Sequence, residues 1–270
     1  MTTRASTAAA PRRKGILRSE LTAMALRYAE YAKRGDYHQE LDPNWAYYPV
    51  YVPKMEFIRK FLYERPPSAK ILDLGCGEGV LVREMRGKGY DMTGADPNYE
   101  SDFVIRSSIA DVNLESGSYD AIICSDVLEH LNVDEQEEAI RKMHGLLKPR
   151  GALLITVPNL AHFSSRLCFL LTGRPLRTST IERHKGERPI REFIDVLEKY
   201  FYISKRQGLF PTFPLSLLLT YLFPGKVLPL HRLLNALFAY PNWCFLNLFI
   251  CERREKSPPT RQVCEYVRFS

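Results

Sequence analysis

Short apolar runs alternate with amphipathic stretches along most of the chain. Nearly continuous apolar runs at 69–76 (AKILDLGC), 121–124 (AIIC) and 152–159 (ALLITVPN) predict buried strands of a parallel sheet. The stretches 79–89 and 132–151 carry apolar residues at helical spacing and stop at glycine or proline. Strands and helices that alternate at this pitch predict a doubly wound α/β sheet.

The same pattern places further elements around this central part. Two more strands are predicted within 90–98 and 102–107, and an antiparallel last strand within 242–254. Helices are predicted at 17–34, 54–64 and 191–200, and residues 41–53, rich in aromatic residues and proline, are predicted to form a loop.

Residues 209–240 are unusually apolar and contain several prolines. No uninterrupted apolar stretch reaches the roughly 20 residues that span a bilayer. We therefore expect short helices at 215–223 and 227–239, inserted before the last strand. Such helices can cover a ligand pocket, form a homodimer face or lie in a membrane interface, and the sequence leaves these three open.

The predicted domain organisation follows from these elements. Residues 1–15 are expected to be a disordered tail, 16–256 one domain, and 257–270 a second tail. Within the domain, 54–159 form one half and 160–256 the other. The N-terminus has basic residues but no apolar segment after them, so a secretory signal is not predicted, while an organelle-targeting segment stays open.

Charge and cysteine usage limit the partners and the compartment. Residues 41–159 hold 13 basic and 19 acidic side chains, whereas 160–256 hold 15 basic and 7 acidic ones. The basic half favours an anionic neighbour such as phosphate, a lipid surface or nucleic acid, and ordinary solvated surface charge is an equal alternative. Six cysteines without a CxxC pair favour free thiols in a reducing compartment.

Three glycines at alternate positions follow the strand that ends near Leu74 (LGCGEG, 74–79). Glycines in a turn between a strand and a helix let a ligand approach the backbone closely. Asp96 follows Gly75 by 21 positions, at the end of the next strand, where a carboxylate can accept hydrogen bonds from ribose hydroxyls. Together these features predict a site for a nucleoside-like cofactor.

Four segments resemble the class I S-adenosylmethionine-dependent methyltransferases. ILDLGCGEG is similar to their first motif, TGADPN to their acidic second-strand loop, GSYDAIICSDVLEHL to their fourth-strand motif and LLKPRGALLITVPN to their fifth. The four segments occur in the same order as in that family, within about residues 54–159. The chain most resembles the ubiquinone-biosynthesis type and the methyltransferase type 11 and 23 group, which implies a seven-stranded, mostly parallel, Rossmann-like sheet.

The resemblance implies a set of cofactor-binding residues. Asp73, Gly75, Cys76 and Gly77 would lie against the methionine part, and Asp96 would hold the ribose. The adenine would be flanked by Pro97 and Asn98, and by Ser107, Ser108 and Ile109, with Asp111 as a nearby acid. The strand end beside the transferring methyl group would be formed by Cys124 and Ser125.

Removal of a proton from a hydroxyl acceptor needs a base or a metal. The candidates for catalysis are Asp126, His130, His162 and His184. In the resembled enzymes a D/E-x-x-E-H sequence is associated with a divalent metal, and Asp126, Glu129 and His130 match it here. The favoured expectation is that Glu129 and His130 orient the next helix without a metal, and a divalent metal held by these three residues is the alternative. Trp45, Tyr47 and Tyr48 are candidates for an aromatic lid over the sulfonium, with packing in the core as an equal alternative.

The resemblance implies an enzyme that O-methylates a small-molecule, glycan or lipid-linked acceptor. Its expected location is the cytoplasm, with a membrane-peripheral position on the inner face as the finer expectation. One alternative is an RNA or protein methyltransferase, although no nucleic-acid-binding module is evident and nucleic acid is not the expected partner. Another is a cofactor-binding scaffold without turnover, because binding is not catalysis.

Overall fold

The computed structural model describes residues 41–177 and 179–255. The predicted helix at 17–34 and the predicted tails at 1–15 and 257–270 lie outside these residues. No disulfide joins the five cysteines in the described part of the chain.

A single seven-stranded sheet forms the centre of the fold. Its strands have the spatial order β3-β2-β1-β4-β5-β7-β6, and only β7 runs antiparallel to its neighbours. This confirms the predicted doubly wound, mostly parallel sheet. The strands are β1 (Lys70–Leu74), β2 (Asp91–Asp96), β3 (Val104–Arg106), β4 (Tyr119–Ser125), β5 (Leu147–Pro158), β6 (Phe201–Pro211) and β7 (Cys244–Arg253).

Helices cover both faces of this sheet, as a buried parallel sheet requires. One hydrophobic cluster packs against α3 and α5, and a second packs against α1 and α2. The helices are α1 (Tyr48–Tyr63), α2 (Val80–Gly87), α3 (Val133–Leu146), α4 (Phe163–Thr172), α5 (Ile190–Leu197), α6 (Pro214–Leu222) and α7 (Leu228–Phe238). None of the helices in the described residues combines the length and hydrophobicity needed to cross a bilayer.

The first described helix corrects the predicted loop at 41–53. Helix α1 begins at Tyr48, six residues before the predicted start, and includes both Pro49 and Pro53. Pro49 lies in the first turn, where a proline loses no hydrogen bond because the first N–H groups have no acceptor inside the helix, whereas Pro53 lies inside the helix. Val50 and Tyr51 are buried against the rest of the protein. Tertiary packing therefore outweighs the local signal of the prolines.

The end of α3, the start of β5 and the presence of α4 also differ from the prediction. The helix predicted at 132–151 ends at Leu146, and β5 begins at Leu147 instead of residue 152. The extra strand residues form an irregular start with a register shift against β4, and Arg150 has a positive φ of 62°. Helix α4 was not predicted, because its sequence (FSSRLCFLLT) lacks a polar stripe opposite an apolar one.

The carboxyl edge of the sheet is where the topology predicts a ligand. The chain adds strands outward from β1 on one side and from β4 on the other, so a crevice opens between the ends of these two strands. Helices α6 and α7 leave the sheet at this same edge, because Pro211 pairs with Cys244 and Leu246 pairs with Pro158.

Candidate active site

The glycine-rich turn after β1 adopts backbone angles that only glycine adopts readily. Gly75, Gly77 and Gly79 have φ values of 78°, 57° and 76°. The N–H of Gly75 donates to the carbonyl of Ala95 on β2, over 2.8 Å. A Cβ atom at Gly75 would lie 2.2 Å from Cγ2 of Val127. The turn is thus held tightly between the ends of β2 and β4.

Asp96 connects the glycine turn to the loop that follows β2. One carboxylate oxygen accepts from the N–H of Gly77 at 2.9 Å, and the other accepts from the N–H of Asn98 at 2.8 Å. The side-chain oxygen of Asn98 is buried and finds no hydrogen-bond partner within the described part of the chain. A buried polar atom of this kind needs a partner, and a ligand donor would supply one.

A buried ion pair lies beside the crevice. Lys54 of α1 donates to the carboxylate of Asp126 at 2.6 Å, and the hydroxyl of Tyr47 donates to the same oxygen at 2.7 Å. The hydroxyl of Thr156 donates to the other oxygen. Asp126 has a φ of 56°, so the strained backbone after β4 aims this carboxylate at α1. Helix α1 is thereby fixed to the ends of β4 and β5.

Three acidic side chains around Lys54 titrate differently because of their surroundings. Burial, with the charge of Asp96, raises the pKa of Asp73 to about 7, although Lys54 opposes the shift. Burial also opposes ionisation of Asp126, but the charge and hydrogen bond of Lys54 lower its pKa below the usual value. Burial and the charge of Asp126 raise the pKa of Glu129 well above its usual value. The crevice therefore carries more acid than base.

Glu129, His130 and His184 form a second cluster next to this one. Their ligating atoms lie within 4.8 Å of one another, close enough to hold a metal ion. His130 Nδ1 lies 3.0 Å from the carbonyl oxygen of Arg183, and burial lowers the pKa of His184 to about 4. The residues that match the metal-associated motif, Asp126, Glu129 and His130, are therefore not the three that lie together here. Asp126 is bound to the lysine of α1, and His184 takes its place in the cluster.

His162 lies at the start of α4, where it was predicted to face the acceptor. Its Nδ1 accepts from the N–H of Ser165 at 3.2 Å and lies 2.8 Å from the hydroxyl of Thr212. Burial lowers the pKa of His162 to about 4, so the ring is neutral near pH 7. Its Nε2 is buried without a partner among the described residues. One nitrogen caps the helix, and a catalytic role for the other stays a prediction.

Cys124 and Ser125 end β4 beside the crevice, as predicted. Cys124 is fully buried, and burial raises the pKa of its thiol well above the usual value. The hydroxyl of Ser125 lies 3.1 Å from that of Thr156 on β5. Their contact with a cofactor stays a prediction.

The loop after β3 contains Ser108, Ile109 and Asp111, which were predicted to lie near the adenine. The hydroxyl of Ser108 donates to the carboxylate of Asp111 at 2.6 Å, so the nearby acid is tied to this loop. Ile109 is buried and belongs to the hydrophobic cluster on the α3 face. Pro97 and Cys76 are half-buried near the ends of β2 and β1.

Several residues that shape the site were not predicted from the sequence. Lys54 was missed because its spacing placed it at the start of an ordinary helix, and a lone lysine there looks solvated. Thr156 is an unremarkable residue inside an apolar strand. Gly94 carried the clearest available signal, a glycine within a strand, which marks a close approach. A Cβ at Gly94 would lie 2.4 Å from the sulfur of Cys76.

The fold and the site together define a class of protein. A mixed seven-stranded sheet of this strand order, with a glycine turn after β1 and an acid after β2, is the arrangement that the resemblance to class I S-adenosylmethionine-dependent methyltransferases implied. Residues 46–196 match the model of the methyltransferase domain family. The chain belongs to this family, and the predicted resemblance is confirmed.

Relatives and solved structures agree with this membership. The chain is 29% identical over 151 residues to a ubiquinone biosynthesis O-methyltransferase of Escherichia coli O9:H4 (strain HS), covering 50% of this chain and 60% of that protein. It is 32% identical over 121 residues to the same enzyme of Xanthomonas axonopodis pv. citri (strain 306), covering 39% and 49%. The chain therefore spans about half the length of the curated relatives it matches.

One solved structure resembles the fold over nearly the whole chain. It is the 1,6-didemethyltoxoflavin-N1-methyltransferase of Burkholderia thailandensis, with a TM-score of 0.52, 15% identity and coverage of 94% of both chains. At this identity the similarity concerns the fold alone.

Proposed function

We propose that this protein transfers the methyl group of S-adenosylmethionine to an oxygen atom of a small-molecule, glycan or lipid-linked acceptor. The observation that carries the proposal is a pair of buried carboxylates beside the glycine turn, Asp73 in β1 and Asp96 at the end of β2. The sulfonium and ammonium groups of this cofactor are positive, and carboxylates attract them.

The residues at the crevice fit the cofactor. Asp73 and the glycine turn suit its methionine part, and Asp96 with the unpartnered oxygen of Asn98 suits its ribose and adenine. Tyr47 and the ion pair of Lys54 with Asp126 close the site from the side of α1. When bound, S-adenosylmethionine supplies a methyl group on a positively charged sulfur. The protein supplies alignment and excludes water.

We assign proton removal from the acceptor to the cluster of Glu129, His130 and His184. His184 is neutral near pH 7, and its Nδ1 is buried without a partner in the described residues, so it can accept a proton. His184 would take the hydroxyl proton that the acceptor loses when its oxygen is methylated. The ring of His130, 4.9 Å away in an edge-on arrangement, orients it.

The acceptor class is supported by the curated relatives. The curated relatives are O-methyltransferases of ubiquinone biosynthesis, which favours a ring hydroxyl on a molecule with an apolar part. We further propose that the protein acts in the cytoplasm at the inner face of the membrane, where such acceptors are found. Formation of S-adenosylhomocysteine with lipid, glycan and RNA fractions would distinguish this proposal from RNA methylation and from a scaffold without turnover.

Replacement of Asp96 by alanine is expected to weaken binding of S-adenosylmethionine. The loss of charge-assisted hydrogen bonds is worth about 1.5–3 kcal/mol, which corresponds to roughly 10- to 150-fold in affinity. Titration calorimetry on the purified protein measures it. Asp96→Asn is the matched control, because it keeps the shape but not the charge. Equal affinity in wild type and Asp96→Ala would contradict the assignment.

The affinity for S-adenosylmethionine is expected to rise with pH up to about 7. The pKa of Asp73 is about 7 in the cofactor-free protein, and a bound cation favours the ionised carboxylate. Protonation therefore competes with binding below this value, by up to about tenfold per pH unit for one proton. Calorimetry between about pH 5.5 and 7 measures the slope. Asp73→Asn should flatten it, and an unchanged slope in that variant would refute the role of Asp73.

A further inference from the structure

Helices α4, α6 and α7 are reversed relative to ordinary surface helices, because their buried residues are polar while large apolar side chains are exposed. In α6 the buried residues are Ser216 and Thr220, while Leu215 is 68% and Tyr221 80% exposed. A helix on the surface of a water-soluble protein normally turns its apolar stripe toward the core.

The other two helices show the same reversal. In α4 the buried residues are Ser164 and Ser165, while Leu170 and Leu171 are 80% and 74% exposed. In α7 the fully buried residue is His231, and two leucines one turn apart, Leu233 and Leu237, are exposed. Three such helices within residues 160–256 form a large exposed apolar surface, which marks a site of contact with a partner or a membrane.

Contacts between the three helices join them into one unit. Phe213, just before α6, packs edge-on against Phe163 of α4 and Phe238 of α7. The ring centroids lie 5.4 Å and 5.6 Å apart, respectively. The hydroxyl of Thr220 lies 2.7 Å from Nε2 of His231, which ties α6 to α7. We call the exposed side chains of α4, α6, α7 and the turn 240–243 the apolar helix surface.

The apolar helix surface is joined to the carboxyl edge of the sheet. Phe245, which follows this surface in the chain, contacts the rings of His162 at 5.9 Å and Tyr47 at 6.4 Å. Tyr47 in turn donates to Asp126. The surface and the candidate active site are therefore on the same side of the molecule.

The segments that form the apolar helix surface carry no acidic residue. Residues 160–181 and 200–251 contain no aspartate or glutamate, while Arg166, Arg174 and Lys226 are exposed there. Arg232 of α7 is exposed too, but it pairs with Glu56 of α1 at 2.6 Å. Two copies of this chain joined symmetrically through this surface would bring positive charges together. An anionic occupant complements the surface, and a second copy does not.

We propose that the apolar helix surface docks the protein on an anionic lipid bilayer, with α4, α6 and α7 lying flat in the headgroup region. Leucine and aromatic side chains would enter the acyl boundary, and the arginines and Lys226 would meet the lipid phosphates. Trp243 and Tyr240 follow α7 and have the amphipathic rings that favour this boundary; their ring centroids lie 5.1 Å apart in a tilted arrangement. Docking goes beyond the proposed methyl transfer and does not depend on it.

Vesicle co-sedimentation of the full chain tests the docking surface. We expect binding to vesicles of phosphatidylcholine mixed with phosphatidylglycerol, and much weaker binding to phosphatidylcholine alone. Binding should weaken several-fold between about 0.1 M and 1 M salt, as the Debye length falls from about 10 Å to 3 Å. Arg174→Gln with Lys226→Gln should weaken binding to the anionic vesicles in the same way.

Two double variants separate the apolar contribution from folding. Leu170→Ser with Leu171→Ser in α4, or Leu218→Ser with Tyr221→Ser in α6, should lower partitioning at least about tenfold. These side chains are exposed, so the variants should unfold at the wild-type denaturant midpoint. The matched control is Tyr63→Ser with Val133→Ser, which removes exposed apolar side chains elsewhere and should bind like wild type.

Three results would overturn the docking proposal. One is equal partitioning into neutral and anionic vesicles. The second is no sedimentation with either. The third is a dimer in light scattering that the α4 variant converts to a monomer, which would make the surface an interface between copies. Calorimetry with S-adenosylmethionine on the same variants keeps the two proposals separate, because cofactor affinity should be unchanged when docking is lost.

Discussion

Gly75→Ala is expected to destabilise the protein by about 2–5 kcal/mol and to reduce affinity for S-adenosylmethionine at least about tenfold. The φ of 78° is disfavoured for alanine by about 1–2 kcal/mol. The new Cβ would also meet Val127 at 2.2 Å, and overpacking of this kind costs about 1–3 kcal/mol. Because Val127 follows Asp126, a shift of this residue would disturb the crevice.

Two variants divide this effect into its parts. Gly89→Ala has a similar φ of 87° and nothing within 4 Å of the added Cβ, so it should show the backbone cost alone and bind cofactor normally. Gly75→Ala combined with Val127→Ala relieves the clash and should recover most of the remaining loss. Denaturant unfolding and calorimetry measure both quantities. If Gly75→Ala is as stable as Gly89→Ala, the close packing of the turn against β4 is not the cause.

Lys54→Met is expected to lower the free energy of unfolding by about 3 kcal/mol at neutral pH. The side chain of Lys54 is 5% exposed and that of Asp126 is 21% exposed. Removal of one partner from a buried pair costs about 3–5 kcal/mol, and the partial exposure of Asp126 places the effect at the lower end. Methionine keeps the length of the side chain, so the change tests charge more than volume.

The pH dependence of this variant identifies the carboxylate. In the wild type the pKa of Asp126 is lowered, so its contribution is present above its unfolded pKa of about 3.9 and is lost as pH falls through the folded value. Without Lys54, burial raises this pKa instead. The stability of Lys54→Met should then fall as pH rises from about 4 to 7, and the gap to wild type should widen.

Controls for the ion pair come from the same chain. Lys54→Met with Asp126→Asn should recover part of the loss, because no uncompensated charge remains. Arg141→Met removes a partner from an exposed pair with Glu138 and should change stability by less than about 1 kcal/mol. A Lys54→Met variant as stable as Arg141→Met at every pH would show that the buried pair does not hold α1.

The sequence predicted the sheet well because its strands are buried on both faces. Such strands appear as short apolar runs, and the glycine turn and Asp96 follow two of them at recognisable spacing. Helix α3 was also evident, since its acidic first turn and its capping box with Asn132 and Glu135 are local features. Signals that lie within a few neighbouring residues can be read from a single sequence.

What the sequence did not predict depends on contacts between distant residues. Lys54 and Asp126 are 72 positions apart, and His184 joins Glu129 only because a loop returns to the end of β4. The start of α1 was missed because its prolines are local signals that tertiary packing overrides. No pattern along the chain encodes these pairings.

The reversed helices were partly visible in the sequence. Residues 209–240 contain too many apolar side chains for a loop, and α6 and α7 lie within one residue of the predicted bounds. The exposed side of each helix was not predictable, because α6 is apolar nearly all round its axis. Only the structure shows that Ser216 and Thr220 are inside.

The pairing of Pro211 with Cys244 makes the segment between them replaceable in evolution. The ends of residues 212–243 are held side by side by the β6–β7 ladder, whatever lies between them. The entropy of closing such a loop grows only slowly with its length, so insertions and deletions there are tolerated. Exchange of this segment can therefore change the acceptor or the location of the protein in the cell, while the glycine turn and Asp96 of β2 stay unchanged.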